Sequence, residues 1–306
     1  MRSISYIGVS FLKGKIQLAE VEHKRKKRTV TVLAERDSAI DFAQAGASLS
    51  ATHPQLGIFV SEMKGLIKQQ KVEAENISFA LPPDPMFINI IPVDPGLKGK
   101  DLSQYLLWEM HQYFPAATQK EFIIGADSLP LENKTAQQTF MVAVRRGMAA
   151  FLQKAVAGLK MNLNIIDIDQ FSTEKTLITN YPEILEHEIV LFGLRRSGVD
   201  ASLIHEGAMT DYRAFQYSGD PDPTKPIMEY LKYLKQKDNN TPAAILLHGI
   251  DITKDFVLSL RTTTGIKQTL AMNSLRKIRA SDKLSKPFMK ESYRFAAAIG
   301  LALRAQ

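Results

Sequence analysis

The chain contains no cysteine. That excludes disulfides, thiolate zinc sites, iron–sulfur clusters and a cysteine nucleophile, and it fits a reducing compartment. Nor is there a run of about 18 apolar residues of the kind a membrane-crossing helix needs. The opening residues, Met1-Arg2-Ser3-Ile4-Ser5-Tyr6-Ile7-Gly8, lack a long apolar stretch and a small-residue cleavage site, so no signal peptide is expected. Six histidines (His23, His53, His111, His187, His205 and His248) show no paired metal spacing, and His187-Glu188 lacks the second histidine of a zinc helix. Gly-x-Ser-x-Gly is absent, so a nucleophile elbow has no support. No Gly-x-Gly-x-x-Gly follows a strand. Gly8 to Gly14-Lys15 fails as a phosphate-cradling P-loop, because five residues rather than four separate the glycines and Ile16 stands where Ser or Thr is needed. Glycosylation-type matches at Asn76, Asn133 and Asn239 carry no meaning without secretion.

What is present is globular material: 306 residues, 45% hydrophobic and 23% charged. That suffices for one large domain or two ordinary ones at roughly 100–200 residues each. The net charge is +7. Five of those charges fall in one run, Lys24-Arg25-Lys26-Lys27-Arg28, and the remainder is nearly balanced. The run reads as a solvated turn or, more sharply, as a contact for an acidic partner or anionic lipid heads. A basic cluster this local gives no reason to expect nucleic acid.

The chain opens with three strands, Ser3–Leu12, Lys15–Glu22 and Arg28–Ala34, rich in β-branched residues and joined by short polar turns. Leu56, Phe59, Val60, Met63, Leu66 and Ile67 recur at three- and four-residue spacing, which predicts a helix over 55–70. A strand at Asn76–Leu81 follows. Strands first, then a helix, then a returning strand make an α/β unit. Pro82, Pro83, Pro85, Pro92 and Pro95 mark a change of module, since proline at this density suits neither helix interior nor central strand. Beyond them, a strand (Phe87–Pro92), a helix (Asp101–Tyr113, with Asp101 as N-cap), a strand pair (Glu121–Ser128, Thr139–Val144) and a helix (Gly147–Lys160) make a small α+β insertion. A strand at Asn164–Asp169 and a helix over Ser172–Tyr181, capped by Ser172, lead to a second three-stranded start: Glu188–Leu194, Val199–His205 and Ala208–Gln216. A short helix carrying Ile227, Tyr230, Leu231 and Leu234, a buried-type strand Ala243–Leu247, helices over Thr253–Thr264 and Tyr293–Arg304, and a strand Lys267–Ala271 complete the pass.

Two halves that both begin with a hairpin-rich sheet suggest an actin-like, ribonuclease H-like α/β architecture. In detail the chain resembles the PilM family of type IV pilus assembly proteins, relatives of the division protein FtsA. The resemblance is carried by Ile7-Gly8-Val9 with Ile16-Gln17-Leu18-Ala19-Glu20-Val21, by Phe79-Ala80-Leu81-Pro82, and by Trp108-Glu109-Met110-His111-Gln112-Tyr113-Phe114-Pro115. Val142-Ala143-Val144-Arg145, Ile166-Asp167-Ile168-Asp169-Gln170-Phe171 and the closing Arg294–Arg304 stretch carry it further. It implies two lobes, with 1–83 plus 161–186 as the first core subdomain, 84–160 as the insertion, and 187–306 as a second core subdomain whose roof is largely missing.

The same resemblance exposes departures at the nucleotide loops. In the first phosphate hairpin, with Gly8 and Gly14, Ser10 replaces the family's aspartate. In the second, Gly193 stands for the aspartate and Arg195 for a glycine, with Arg196 beside it. The adenosine loop offers only His248-Gly249. Between Gln216 and Ala243 about 26 residues remain for a roof subdomain. The resemblance therefore implies a non-catalytic cytoplasmic adaptor, peripheral to the inner membrane, without cofactor, metal or catalytic residue. It would bind the N-terminal tail of a PilN-like single-pass membrane protein near Leu81, Pro82, Pro83, Tyr105, Trp108, Glu109 and Arg145. Three alternatives stay open: a working actin-like ATPase with ATP and Mg, a GspL-type secretion component, and an anion held by Arg195 and Arg196. Trp108 and Tyr113 on one helix read more readily as core anchors than as partner contacts.

Overall fold

The computed structural model describes residues 3–12, 14–25, 27–115, 120–129, 137–218, 221–238 and 241–304. Lys13, Lys26 and the glycosylation-type residues Asn133 and Asn239 lie outside them. β1 (Ile4–Leu12), β2 (Lys15–Lys24) and β3 (Lys27–Asp37) form an antiparallel meander. α1 (Phe42–Ala45) and α2 (Leu56–Gln70) lead to β4 (Asn76–Leu81), which lies parallel to β1. β5 (Phe87–Val93), α3 (Gly99–Tyr113), β6 (Phe122–Ser128) and β7 (Gln137–Arg145) form a separate unit with strand order β5-β7-β6. α4 (Arg146–Leu159) then leads to β8 (Asn162–Ile168), parallel to β4, and α5 (Asp169–Asn180) follows. The pattern then repeats. β9 (Ile189–Leu194), β10 (Gly198–His205) and β11 (Ala208–Gln216) form a second meander, α6 (Thr224–Asp238) leads to β12 (Ala244–Gly249), and α7 (Lys254–Thr264) leads to β13 (Gln268–Ala271). The chain then returns to the first sheet through β14 (Arg279–Ala280), and α8 (Lys286–Lys290) and α9 (Ala296–Arg304) close it. The sheets run β14-β3-β2-β1-β4-β8 and β11-β10-β9-β12-β13. Each lobe thus has three antiparallel strands continued by parallel ones, the two-lobed actin-like arrangement expected from the sequence.

Period-two alternation explains why the strands are apolar on both faces. Ile7, Val9, Phe11, Ile16 and Leu18 point into a core with α2 and α4, while Ala19 and Val21 point to the opposite core with α9. The α2 stripe read from the sequence is the face that packs: Phe59, Met63 and Leu66 are buried, and Leu56, Val60 and Ile67 flank them. Their centre is a phenylalanine cluster in which Phe11 stacks on Phe42 at 3.8 Å and Phe59 meets Phe151 at 5.5 Å.

Phe151 belongs to α4, which corrects the domain boundaries. Met148, Phe151, Leu152, Ala155 and Val156 pack into the first-lobe core, so the helix assigned to the end of the 84–160 insertion is a core helix. The lobes also exchange helices. Leu177 on α5 and Tyr181 just beyond it, assigned to the first lobe, pack under Ile189, Leu191 and Leu246 of the second. Phe295, just before α9, with Ala298, Ile299 and Ala302 of α9, assigned to the second lobe, packs under β2 and β3 of the first. Small residues make the exchange possible. A Cβ at Gly8 would collide with the Ala298 carbonyl, and one at Gly300 with the Ser172 carbonyl of α5. Two caps also differ. α3 starts at Gly99 behind Lys98, leaving Asp101 in the first turn. α5 starts at Asp169, and the Ser172 hydroxyl instead donates to Asp167 at 2.9 Å.

The insertion sheet separates its side chains by the same period. Ile91, Val93, Met141, Ala143 and Phe122 face α3. Ile88, Ile90, Phe140 and Val142 face Phe171 of α5 and Tyr212 of β11. The rings of Phe140, Phe171 and Tyr212, from three parts of the chain, meet at 4.7–5.7 Å. In the second lobe, Ile227, Tyr230 and Leu234 of α6 are buried on its sheet with Leu231 partly so, and the Tyr230 hydroxyl donates to Asp211 at 2.8 Å.

The close approach of α9 to β1 and α5 is directly testable. Gly8→Ala or Gly300→Ala should each cost about 1–3 kcal/mol or more through overpacking. Gly57→Ala, on an open part of α2, should be neutral or stabilising by up to about 1 kcal/mol. Thermal melting of the three variants checks the order, and equal effects at all three positions would contradict this packing.

Candidate functional site

The turn between β1 and β2, the turn between β9 and β10, and the loop after β12 all open toward the gap between the lobes. The space bounded by Ser10, Gln17, Asp169, Arg195, His248, Gly249 and Arg294 is about 10 Å³. That is about one water.

Arg195 fills it. The side chain is 6% exposed. Its Nε and Nη2 donate to the two oxygens of Asp200 at 2.6 and 3.0 Å. Nη1 donates to Asp84 at 2.7 Å and to Ser197 at 2.8 Å. Asp84 follows β4, so this guanidinium ties the second lobe to the root of the insertion. Four of the five donors of a guanidinium are committed to the chain's own groups. This contradicts a free anion site at Arg195, because two carboxylates already occupy the positions a phosphate would take. Burial pushes Asp169 well above the usual carboxylate range, and the nearby Asp200 charge adds to it. Asp169 is therefore a neutral acid, and its Oδ1 has no partner. Burial also pushes Asp200 up, opposed by Arg195 and by the Tyr212 hydroxyl at 3.0 Å. The bidentate geometry marks Asp200 as the ionised partner.

Gly193 and His248 prove to be one feature. A Cβ at Gly193 would lie 2.6 Å from Gln170 Oε1 and 2.7 Å from His248 Nε2. Those two atoms are themselves 2.7 Å apart, while Gln170 Nε2 donates to the Leu191 carbonyl and to Ser202, both at 3.0 Å. Nε2 of His248 therefore carries the proton and donates to Gln170. Burial, helped by the Arg195 charge, depresses His248 to about 3, so it is neutral. Gly249 has φ +108°, and a side chain there would strike the Leu194 carbonyl; it serves a tight turn.

On the first hairpin, the buried Ser10 hydroxyl donates to Gln17 at 3.3 Å, and Gln17 donates to Glu35 at 3.1 Å. Glu35 is paired with Arg294 at 2.6 Å and with Lys15 at 2.9 Å. Burial pushes Glu35 up, but Lys15, Gln17 and Arg294 more than offset it and leave its pKa lowered. Gly8 faces α9 rather than the cleft. Gly14, Pro82, Asp84, Arg195 and the exposed Arg196 line a neighbouring open cleft of about 200 Å³ with Phe11, Asp41 and Phe42. Among the described residues no group of three or more His, Asp or Glu is placed to hold a metal ion, and no helix is long and apolar enough to cross a membrane.

The residues expected to grip a partner fall in two places. Leu81 is fully buried in the first-lobe core, and Pro82 and Pro83 are buried beside it. Leu81 therefore offers no side-chain contact, which corrects that expectation. Tyr105, Trp108 and Glu109 form one face of α3. Tyr105 and Trp108 stack at 5.8 Å, and the Tyr105 hydroxyl lies 2.8 Å from Glu109 and 3.0 Å from the Pro92 carbonyl. Arg145 lies over the Phe122 ring at 5.0 Å, toward the far end of α3, where Phe114 also meets Phe122 at 6.1 Å. Trp108 and Tyr113 are each 54% exposed and Phe114 is 40% exposed. The reading of Trp108 and Tyr113 as core anchors is thereby overturned; Leu106 and Met110 are the buried residues of α3.

Two buried groups set opposite pH slopes. Burial raises Glu174, next to Ser202, from 4.5 to about 8. It holds its proton more tightly folded than unfolded, so its support is complete below about 4.5 and lost as pH rises toward 8. His248, lowered from 6.5 to about 3, supports the fold above 6.5 and loses that support as pH falls toward 3. Asp169, raised like Glu174, adds to the alkaline fall, so the melting temperature should decline as pH rises above about 4.5, and more steeply above 6.5 where His248 no longer offsets it. Glu174→Gln should reduce the alkaline fall; a parent whose stability rises from 6.5 to 8 would contradict this. Arg195→Ala leaves buried carboxylates without their cation and should cost about 3–5 kcal/mol, read by denaturant unfolding.

No protein-family model matches the chain, and no curated protein matches it. Among solved structures it is similar to a chain of a PilM-PilN type IV pilus biogenesis complex, at 17% identity and a TM-score of 0.79, with 98% of each chain covered. It is more loosely similar to a Bacteroides thetaiotaomicron protein with an actin-like ATPase fold and unknown function. There the identity is 11%, the coverage 94% of this chain and 95% of that one, and the TM-score 0.47. The cytoplasmic domain of EpsL, an inner membrane component of the type II secretion system of Vibrio cholerae, gives 9% identity, 89% and 98% coverage and a TM-score of 0.47. The last two are too loose to carry an argument. The first shows the fold: from end to end, the chain folds like that chain of the PilM-PilN complex, in the actin-like, two-lobed α/β class.

Proposed function

We propose that this chain is a non-catalytic adaptor of a type IV pilus or related secretion machine. It works at the cytoplasmic face of the inner membrane and binds the N-terminal tail of a PilN-like single-pass membrane protein. The observation that carries the non-catalytic half is the Asp84–Arg195–Asp200 bridge through the place where phosphates would lie. A nucleotide pocket needs some 300–1,000 Å³, against about 10 Å³ between these loops and about 200 Å³ in the open cleft beside them. To admit a triphosphate, the cleft would have to break a buried ion pair, displace the His248–Gln170 pair and strip Arg195 of its carboxylates. Ser10 and Gly193 would still offer no carboxylate to orient metal-bound water.

The partner half rests on full-length likeness of fold to the PilM–PilN chain and on the surface of the insertion. Trp108, stacked on Tyr105, presents a large apolar anchor to solvent, and β5 offers a sheet edge beside it. Tail capture of this kind joins an apolar anchor to main-chain pairing along such an edge. The tail is therefore placed along α3 and β5, away from the buried Leu81. Arg145, beyond Phe122, marks the far end of the surface.

Melting with and without millimolar Mg-ATP tests the first half. No shift is expected, whereas saturation at 100 times a dissociation constant adds about 2.7 kcal/mol and would be unmistakable; a Mg-dependent rise overturns the reading. Calorimetry with the N-terminal peptide of the single-pass membrane protein encoded beside this chain tests the second. Because Trp108 is exposed, Trp108→Ala should leave melting nearly unchanged and weaken binding at least about 30-fold, the cost of losing a binding anchor. Unchanged affinity in both Trp108→Ala and Tyr105→Ala would place the tail elsewhere.

A further inference from the structure

The basic run at the β2–β3 turn does not stand alone. The segment after β13 carries Arg276, Lys277, Arg279, Lys283, Lys286 and Lys290, with Asp282 as its only carboxylate between 276 and 290. The fold lays this segment against the same hairpin. Arg279 and Ala280 pair with Thr29 and Val30 of β3, next to Arg28, and the Ser281 amide donates to the Val30 carbonyl at 3.0 Å. Its apolar residues hold it there: Ile278 and Leu284 are buried with Val21, Val30 and Leu33, with Leu275 and Phe288 beside them. The basic side chains between these anchors are left outside. Lys24, Arg25, Lys27, Arg279, Lys283, Lys286 and Lys290 are exposed.

Arg276 and Lys277 share one carboxylate, Glu183, with Lys277 at 2.7 Å. Arg279, Lys283, Lys286 and Lys290, with Lys24 and Lys27 of the turn, make no ion pair among the described residues. Two apolar side chains are exposed on elements that carry these cations or pair with them. Met289 on α8 is 38% exposed between Lys286 and Lys290, and Ile4, paired with His23 beside the basic turn, is 53% exposed. Unpaired cations with exposed apolar side chains on the same or adjoining elements match the interface of an anionic bilayer, where charge attracts and apolar tips enter the headgroup boundary. An acidic protein segment would use the charges and leave Met289 and Ile4 idle.

We propose that this composite face, β2–β3 turn plus residues 279–290, docks directly on an anionic membrane surface. It is a contact separate from capture of the partner's tail, and it operates without the tail.

The test is co-sedimentation of the full chain with vesicles of phosphatidylcholine, with and without phosphatidylglycerol. Binding is expected only to the mixed vesicles, and it should weaken as salt rises, since exposed charges are screened over roughly 8–10 Å at physiological salt. Each neutralised charge should lower partitioning about fivefold. Arg279→Gln, Lys283→Gln, Lys286→Gln and Lys290→Gln combined should therefore abolish it while melting stays unchanged, and Met289→Ser should weaken the part that survives moderate salt. Lys232→Gln with Lys235→Gln on α6 should leave binding as it was. Equal binding to neutral vesicles, or a quadruple variant that binds like the parent, overturns the proposal. So does a parent that ignores mixed vesicles but is retained by polyglutamate, which would assign the face to an acidic protein. Tail calorimetry on the same quadruple variant should be normal, so failure here and failure of the adaptor reading are told apart.

Discussion

A guanidinium removed from water must keep its charge and find acceptors for its donors, and Arg195 meets both demands by reaching across the molecule. Asp200 takes two of its hydrogen bonds within the second lobe, and Asp84 takes a third from the root of the insertion. A buried ion pair contributes little over a well-packed apolar replacement, but losing one partner is costly, because the other charge is left buried. The bridge therefore acts less as a source of stability than as a constraint on where the lobes and insertion can sit. Asp169 stays protonated chiefly because it is buried, with the Asp200 charge adding to the shift. His248 stays neutral chiefly because it is buried, helped by the Arg195 charge.

The same constraint explains why several departures from an ATP-binding pattern occur together. Gly193 has lost a side chain in the place where His248 and Gln170 meet. His248 fills part of the adenosine-side gap, and Arg195 fills the phosphate gap. Restoring an aspartate at 193 alone would drive its Cβ into the His248–Gln170 pair. The cleft is thus closed by mutually dependent contacts, and single reversions do not reopen it.

The strands and the α2 and α6 stripes were legible in the sequence because their periodicities are local and strong. The repeat of a three-stranded start in each half was enough for the two-lobed architecture. What the sequence could not reveal were long-range pairings. The stripe of α4 says that one face is buried but not against what, and it belongs to Phe11, Phe42 and Phe59. β14 is a two-residue strand with no period to detect, so the basic segment it places beside the β2–β3 turn stayed hidden. The exchange of α5 and α9 left only the small residues Gly8 and Gly300 as a trace, and Gly8 read equally well as a phosphate glycine. At the site, the replacement of aspartates by Ser10 and Gly193 was legible against the family pattern, but what fills the space was not: Gln170 lies in a block that matches the family. Exposure was least legible, because Trp108, Met110 and Tyr113 share one helix and only Met110 points inward.

Closure of the cleft also bears on what an adaptor surface requires. Association loses affinity to every loop and side chain that must be ordered on binding. Here the insertion is held by Asp84 on one side and by the Phe140–Phe171–Tyr212 contact on the other. Its exposed helix α3 is therefore presented by a body fixed to both lobes. In this chain the polar contacts that close the inter-lobe cleft belong to the same network that holds the insertion, so rigidity at the surface and closure of the cleft have a common physical cause.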